Sequence, residues 1–139
     1  MLFIGIDGRH KNKEIVEWYC YSLVKALKIH RLGRELNIRF TAKALESEAQ
    51  GLAVGDKNEV TISIATKEYT FLEQMMTLAH EMVHAKQFFR KELTCEGGFA
   101  WKGRSADNYQ YDNQPWEKEA FRLEKELFLS CFPFDQELK

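Results

Sequence analysis

The chain has 139 residues, of which 45% are hydrophobic and 13% aromatic, and its formal net charge is −1 at pH 7. This length and composition predict a single domain spanning residues 1–139 that can bury a core without disulfide bonds or a structural metal. The near-neutral charge excludes a strong overall attraction to nucleic acid or to an anionic membrane, so either partner would need a local basic patch.

The first third of the chain predicts a loop, a helix and a strand. Residues 8–13 form a polar turn that contains Arg9 and His10, which predicts a basic surface loop or, as the alternative, a contact with phosphate. Apolar residues then recur at helical spacing over residues 13–29, as in an amphipathic helix. Residues 36–42 alternate between apolar and polar side chains, which is typical of a β-strand with one buried face.

Residues 44–50 fit either a short helix or a loop, and a β-hairpin is predicted after them. Leu52 and Val54 precede a turn-rich Gly-Asp-Lys-Asn sequence at residues 55–58, and apolar and polar side chains alternate again over residues 60–64. The second strand of this hairpin leads into the segment that carries the most informative motif.

That motif is His-Glu-x-x-His at residues 80–84, and it lies in a segment with strong helix signals. Thr70 and Glu73 have the spacing of a capping box at the helix start. The cationic residues Arg90 and Lys91 suit its C-terminus. The apolar residues that follow the start at helical spacing are Leu72, Met76, Ala79 and Val83.

The spacing of the motif has a chemical meaning. His80 and His84 are four residues apart, so both imidazoles lie on one helix face and can bind one tetrahedral metal ion. Glu81 then points at the open side of that ion. In zinc hydrolases such a carboxylate takes a proton from the metal-bound water, whose pKa the ion lowers to about 7, and passes it to the leaving amine. The alternative is a buried structural helix whose histidines bind backbone groups.

Downstream of the motif, the pattern predicts a short strand, a loop and a last helix. Residues 97–103 fit a short strand between glycines, and residues 105–114 form a polar loop that contains tyrosines. Pro115 is suited to the first turn of a helix that runs to about Leu129. The tail at residues 129–134, which contains Phe132 and Phe134, would either cover part of the cleft or pack on the core beside the first helix.

A catalytic zinc site needs three protein ligands and one open position. The other histidines, His10 and His30, lie in charged stretches far upstream, which favours a carboxylate from the last helix as the third ligand. A helical projection places Glu117 and Glu124 in the apolar sector, where an acidic side chain needs a partner such as Zn²⁺. The glutamates on the more polar side are Glu119 and Glu126.

The His-Glu-Met-Val-His motif, followed by Pro-Trp-Glu-Lys-Glu-Ala at residues 115–120, resembles the glutamate-type zinc metallopeptidases, the gluzincins. The small size is similar to that of the minigluzincins and of SprT-like phage and bacterial metallopeptidases. The resemblance covers about residues 36–129 and implies that Glu117, three residues before Ala120, is the third ligand of one catalytic zinc ion. It also implies an α+β zincin-like domain, in which a small mixed sheet lies above the motif helix and an exposed hairpin strand forms the upper rim of the cleft.

Two features depart from the family pattern. Phe121 stands where an Asp often follows the Glu-x-x-Ala sequence, and the C-terminal cysteine cluster of the DNA-associated SprT proteins is lacking. The resemblance therefore carries over neither the support that this Asp gives to the metal ligands nor a role on DNA.

The motif and the resemblance together predict a zinc-dependent metalloendopeptidase that acts on a peptide or protein substrate. In this prediction one Zn²⁺ is the cofactor, and Glu81 acts first as general base and then as general acid. The predicted zinc ligands are His80, His84 and Glu117.

The sequence offers candidates for substrate binding and for stabilisation of the oxyanion. An extended peptide would pair with an exposed strand edge, for which residues 60–65 are the nearest candidate. Tyr109 or Tyr111 would stabilise the oxyanion, the alternative being that both are ordinary surface or core tyrosines.

Two other functions stay open. A catalytically silent zincin-fold protein would use the cleft, or only the scaffold, to hold a partner, as a binding protein or a virion-associated structural protein. A nucleic-acid binder would use Arg31, Arg34 and Arg39 as a patch, which the near-neutral charge disfavours.

The cysteines and the N-terminus bear on the compartment. Cys20, Cys95 and Cys131 are odd in number and lack C-x-x-C spacing, which favours a reducing cytoplasm, or the host cytoplasm or a virion if the protein is viral. Residues 1–7 are too short an apolar segment for a signal peptide, and no apolar run approaches the length of a membrane span. We therefore expect a soluble protein that has no membrane partner.

Overall fold

A computed structural model of the protein describes residues 1–8, 11–107, 109–136 and 138. Arg9 and His10, which carry the predicted basic loop, lie outside the described residues. Within the described residues the fold is α+β, with three α-helices and two sheets. The helices are α1 (Lys13–Ala26), α2 (Phe71–Phe89) and α3 (Pro115–Cys131). The strands are β1 (Phe3–Asp7), β2 (Glu35–Thr41), β3 (Gly51–Gly55), β4 (Glu59–Ala65), β5 (Leu93–Thr94), β6 (Ala100–Trp101) and β7 (Arg104–Ser105).

The larger sheet is mixed and has the strand order β1-β2-β4-β3. Strands β1, β2 and β4 are parallel, with Ile38 opposite both Ile6 and Ile62, whereas β3 runs antiparallel to β4. The predicted hairpin is therefore confirmed as β3 and β4. The ambiguous segment before it contains one 3₁₀ turn, Glu46–Glu48, within a loop.

The prediction that residues 60–65 form an exposed strand edge is wrong. These residues belong to β4, which pairs with β2 on one side and with β3 on the other. The apolar alternation of β4 buries Val60, Ile62 and Ile64 completely, as suits a central strand. The exposed edge on this side of the sheet is β3, which contains two glycines and an exposed Val54.

Helix α2 lies at the centre of the packing. It contacts β3 and β4 on one side and α3 on the other, and α1 also reaches it. The Tyr19 hydroxyl on α1 donates a hydrogen bond of 2.9 Å to the carbonyl of Met75 on α2. The core therefore fixes the position of α2 relative to both the edge strand and α3.

The ends of the helices follow local chemistry. The predicted capping box is confirmed, because Thr70 N donates to the Glu73 side chain at 2.8 Å and Glu73 N donates to Thr70 Oγ1 at 3.1 Å. Helix α2 ends at Phe89, directly before the predicted end at Arg90 and Lys91. Helix α1 ends three residues earlier than predicted, because Lys28 adopts a left-handed φ of 61° and closes the last turn by donating to the Lys25 carbonyl.

The segment between α2 and α3 is less regular. The predicted strand at residues 97–103 is reduced to β6, because Gly97, Gly98 and Gly103 all have left-handed φ angles that interrupt extended backbone. Strands β5 and β7 flank β6 in a small antiparallel sheet. The predicted polar loop contains a 3₁₀ turn, Tyr111–Asn113, and α3 begins at Pro115 as predicted.

The aromatic tail packs on the core beside α1, which was the alternative to covering the cleft. Phe132 is buried, and its ring lies 5.4 Å from that of Tyr19 and 5.9 Å from that of Phe71. None of the helices in the described part of the chain has the length and apolar character that a membrane crossing requires.

Candidate metal centre

Three buried side chains of the motif face α3 and the sheet edge. His80, Glu81 and His84 are 7%, 7% and 6% exposed, and they lie within about one turn of α2. The first turns of α3 place Glu117 opposite the two histidines. Ala120 is completely buried on the same side of α3, and its small side chain allows the two helices to approach closely.

The two histidines and Glu117 converge on one point. Glu117 Oε1 lies 2.9 Å from His80 Nε2 and 3.0 Å from His84 Nε2. Ligands about 2.0–2.2 Å from a tetrahedral ion are roughly 3.3–3.6 Å apart, which is about half an ångström more than these separations. All three ligand atoms lie within 4.8 Å of one another, so the group could hold a metal ion.

The cluster is also electrostatically coupled. Burial alone would raise the pKa of Glu117, but hydrogen bonds and positive charge from His80 and His84 lower it to about 2. Burial alone would lower the pKa of His84, yet its hydrogen bond to Glu117 and the charges of Glu81 and Glu117 raise it overall. The charges of His84 and Glu117 therefore stabilise each other in this buried cluster.

Glu81 lies directly below the edge strand. Burial is the main cause that raises the pKa of its carboxyl, and the nearby histidines only partly offset that effect. A Cβ atom added to Gly51 on β3 would lie 2.9 Å from Glu81 Cγ and 2.6 Å from Thr77 Cγ2. The absence of a side chain at Gly51 therefore allows the backbone of β3 to pass close to Glu81.

An open cleft of about 400 Å³ adjoins this point. Its lining comes from the loop before β3 and the first residue of that strand, from α2, from the 3₁₀ turn before α3 and from α3 itself. The lining residues are Ala49, Gln50, Gly51, Thr77, His80, Glu81, Tyr111, Phe121 and Glu124. A larger cleft of about 570 Å³ lies beside Met1, but the group that could hold a metal does not line it.

Two residues that bind the outer nitrogens of the histidines were not singled out by the sequence for that role. His84 Nδ1 lies 2.8 Å from Gln87 Oε1, and His80 Nδ1 lies 3.5 Å from Glu124 Oε2. The signal for Gln87 was a polar residue three positions after His84 on an otherwise apolar helix face. The signal for Glu124 was its place in the same apolar sector as Glu117.

The other residues that the sequence offered as metal ligands or oxyanion donors lie in different places. Glu119 contacts Lys86 and Gln87 instead of the histidines. Both tyrosines are exposed, and Tyr111 lines the cleft whereas Tyr109 does not. His30 lies between α1 and β2, outside the group that could hold a metal.

The predicted arginine patch is divided along β2. Arg34 lies immediately before this strand and Arg39 lies near its end, so about 16 Å of extended chain separates them. Arg31 lies on the Arg34 side, in the turn that precedes the strand. The three arginines therefore do not form a single compact surface.

Comparisons with known proteins find no match. No protein-family model, no curated protein and no solved structure matches this chain. The function proposed below therefore depends on the residues and their geometry.

Proposed function

We propose that this protein is a zinc-dependent metallopeptidase with a zincin-like fold of the gluzincin type. The observation that carries the proposal is the convergence of His80, His84 and Glu117, with the buried Glu81 beside them at the floor of an open cleft. The mixed sheet with its edge strand over the motif helix supports the same fold assignment.

The donor set favours zinc. Two neutral imidazoles and one carboxylate, with a fourth side open to the cleft, are the ligands and the geometry of catalytic zinc sites. Zinc held there supplies Lewis acidity, which polarises a peptide carbonyl and makes water nucleophilic near neutral pH. His80, His84 and Glu117 hold the ion in this proposal, and Glu81 remains outside the ligand set.

Glu81 is the proposed general base. Its carboxyl lines the cleft and is otherwise buried, and burial raises its pKa towards the range in which proton transfer is effective. The carboxylate takes a proton from the attacking water and then donates it to the leaving amine. Tyr111 also lines the cleft, and its position supports it over Tyr109 as the candidate for stabilising the oxyanion.

The substrate edge in this proposal is β3. Ala65 N donates to Gln50 O and Asp56 N donates to Glu59 O, so the alternating ladder directs the backbone groups of Gly51 and Ala53 away from β4. An extended peptide paired with these outward groups would pass over Glu81, because Gly51 lies directly against that side chain. A peptide substrate bound as an added strand therefore fits the cleft.

The test combines metal analysis with hydrolysis. We expect protein purified without chelator to contain one zinc ion per chain and to cleave members of a peptide library. Glu81→Gln should retain the metal and the fold but lose hydrolysis by several orders of magnitude, because its side chain acts on water and is not a ligand.

His80→Ala is the matched control, since it removes a ligand from the same helix turn and should lose the metal. Wild-type protein that takes up no added Zn²⁺ would overturn the metal centre. Equal hydrolysis by wild type and Glu81→Gln would overturn the assignment of the base.

A further inference from the structure

The outer nitrogen of His84 faces a completely buried amide. His84 Nδ1 lies 2.8 Å from Gln87 Oε1, and Gln87 is 0% exposed. The inner nitrogen, Nε2, faces Glu117 at 3.0 Å. Each ring nitrogen of His84 therefore has a polar neighbour.

The surroundings of Gln87 determine which way its amide points. Its Nε2 donates to the Trp116 carbonyl at 2.9 Å and to Glu119 Oε1 at 3.1 Å. Both neighbours are acceptors, so the reversed amide would place an oxygen against two other oxygens. The amide oxygen must therefore face His84, which can satisfy it only with a proton on Nδ1.

Glu119 is itself held in place. Lys86 Nζ donates to Glu119 Oε1 at 3.1 Å and forms a second ion pair with Glu92 at 2.6 Å. An ordered chain of contacts thus runs from Lys86 through Glu119 and Gln87 to His84. It joins α2 to α3 immediately behind the candidate metal centre.

We propose that Gln87 is a positioning residue of this centre, which holds His84 in the tautomer with the proton on Nδ1 and the lone pair on Nε2, and that Glu119 fixes the Gln87 amide for this purpose. The proposal rests on the metal centre proposed above, because only a site for a cation needs a free Nε2 directed at Glu117. Hydrogen bonding to the outer nitrogen of a ligating histidine fixes both the tautomer and the ring orientation, and its loss typically weakens metal binding by about 10–100-fold.

The experiment compares Gln87→Leu with Gln74→Leu. Gln74 is a buried glutamine on the same helix whose amide donates to the Tyr69 carbonyl, so it controls for the loss of a buried amide. Nitrogen-15 NMR of the imidazole rings, in metal-free protein at alkaline pH, reports which nitrogen of His84 carries the proton; for this readout every protein compared also carries Glu117→Gln, so that no carboxylate competes for a proton on Nε2. Competition with a chelating dye reports the affinity for Zn²⁺.

We expect wild type and Gln74→Leu to show the proton on Nδ1 and equal Zn²⁺ affinity. Gln87→Leu should show a mixture of tautomers and an affinity about 10–100-fold lower. Glu119→Leu removes one of the two acceptors that orient the Gln87 amide, and should shift the tautomers and the affinity in the same direction as Gln87→Leu but by less.

The two readouts separate this proposal from the proposed function. If Gln87→Leu folds and keeps the proton on Nδ1 to the same extent as wild type, Gln87 is not the positioning residue. If it fails to fold, Glu119→Leu with the proton on Nδ1 to the same extent as wild type would overturn the proposed role of Glu119 and with it the proposal. Absence of peptide hydrolysis in wild type would overturn the proposed function while leaving the tautomer measurement decisive.

Discussion

The two histidines of the candidate centre have very different surroundings. His84 is enclosed, with Gln87 at 2.8 Å on its outer nitrogen and α3 behind it. His80 lies at the cleft, with Glu124 only at 3.5 Å and the ring of Phe121, which is 52% exposed, at a centroid distance of 4.7 Å. We infer that the enclosed side of the centre, at His84, fixes its geometry. The open side, at His80, gives access to it from the cleft.

Removing the carboxylate of Glu117, which contacts both His80 and His84, should have the largest effect on Zn²⁺ binding. We expect Glu117→Gln to weaken Zn²⁺ binding by more than about 100-fold, which is the upper range for losing a residue that only supports a ligand. Glu119→Gln is the matched control, because it makes the same chemical change two residues away. It should leave the affinity within about tenfold of wild type, since its new amide oxygen can still accept from Gln87.

A metal titration of the two variants measures this difference. If Glu119→Gln proved the more damaging change, the third-ligand role would pass to Glu119, and the two histidines could not share Glu117 as the geometry indicates.

The next largest effect is expected from a change in the cleft beside His80, at Gly51. Gly51→Ala would place a Cβ 2.6 Å from Thr77 Cγ2 and 2.9 Å from Glu81 Cγ, so the edge strand or the Glu81 side chain must move. We expect kcat/KM for peptide hydrolysis to fall by about 10–100-fold, because a displacement near 1 Å can cost about 100-fold, while Zn²⁺ affinity is retained. Gly33→Ala is the control, since its Cβ would meet nothing within 4 Å.

Unchanged hydrolysis by Gly51→Ala would mean that Glu81 does not act from beneath β3. A loss of metal together with activity would instead show that the open and enclosed sides are not separable.

The smallest expected effect is that of Glu124→Gln. Its contact with His80 Nδ1 is long, and its side chain is partly exposed, so water can replace it. We expect Zn²⁺ affinity to fall by less than about tenfold, compared with about 10–100-fold for Gln87→Leu. Equal losses from the two variants in the same dye competition would remove the distinction between the enclosed and the open histidine.

Most of the local structure around the site could be predicted from the sequence. Helix α2 was predictable because a capping box, an apolar stripe and a cationic end agree over five turns. The hairpin was predictable because two alternating segments flank a turn-rich tetrapeptide. The helical projection placed Glu117 rather than Glu119 towards the histidines, which is where α3 presents it.

Long-range pairing was not predictable in the same way. The alternation of β4 does not say that β2 becomes its second neighbour, so the exposed edge was assigned to the wrong strand of the hairpin. Strand β1 was not predicted, because Phe3 is apolar at a solvent-facing position, 67% exposed, and so obscures the alternation that β1 shows in its burial. The support from Gln87 depends on Trp116 and Glu119, which are about 30 residues away in the chain.

The contacts of Glu117 with the histidines span 33 and 37 residues of sequence. In its described residues, the connecting segment has only two-residue strands and a single 3₁₀ turn as regular structure. An ion bound to these three side chains closes that segment into a loop in the native state but not in the unfolded chain. By linkage, a free ion concentration of one hundred times Kd adds about 2.7 kcal/mol to the free energy of unfolding. The concentration of free metal ion would therefore also determine how strongly the connecting segment resists local opening.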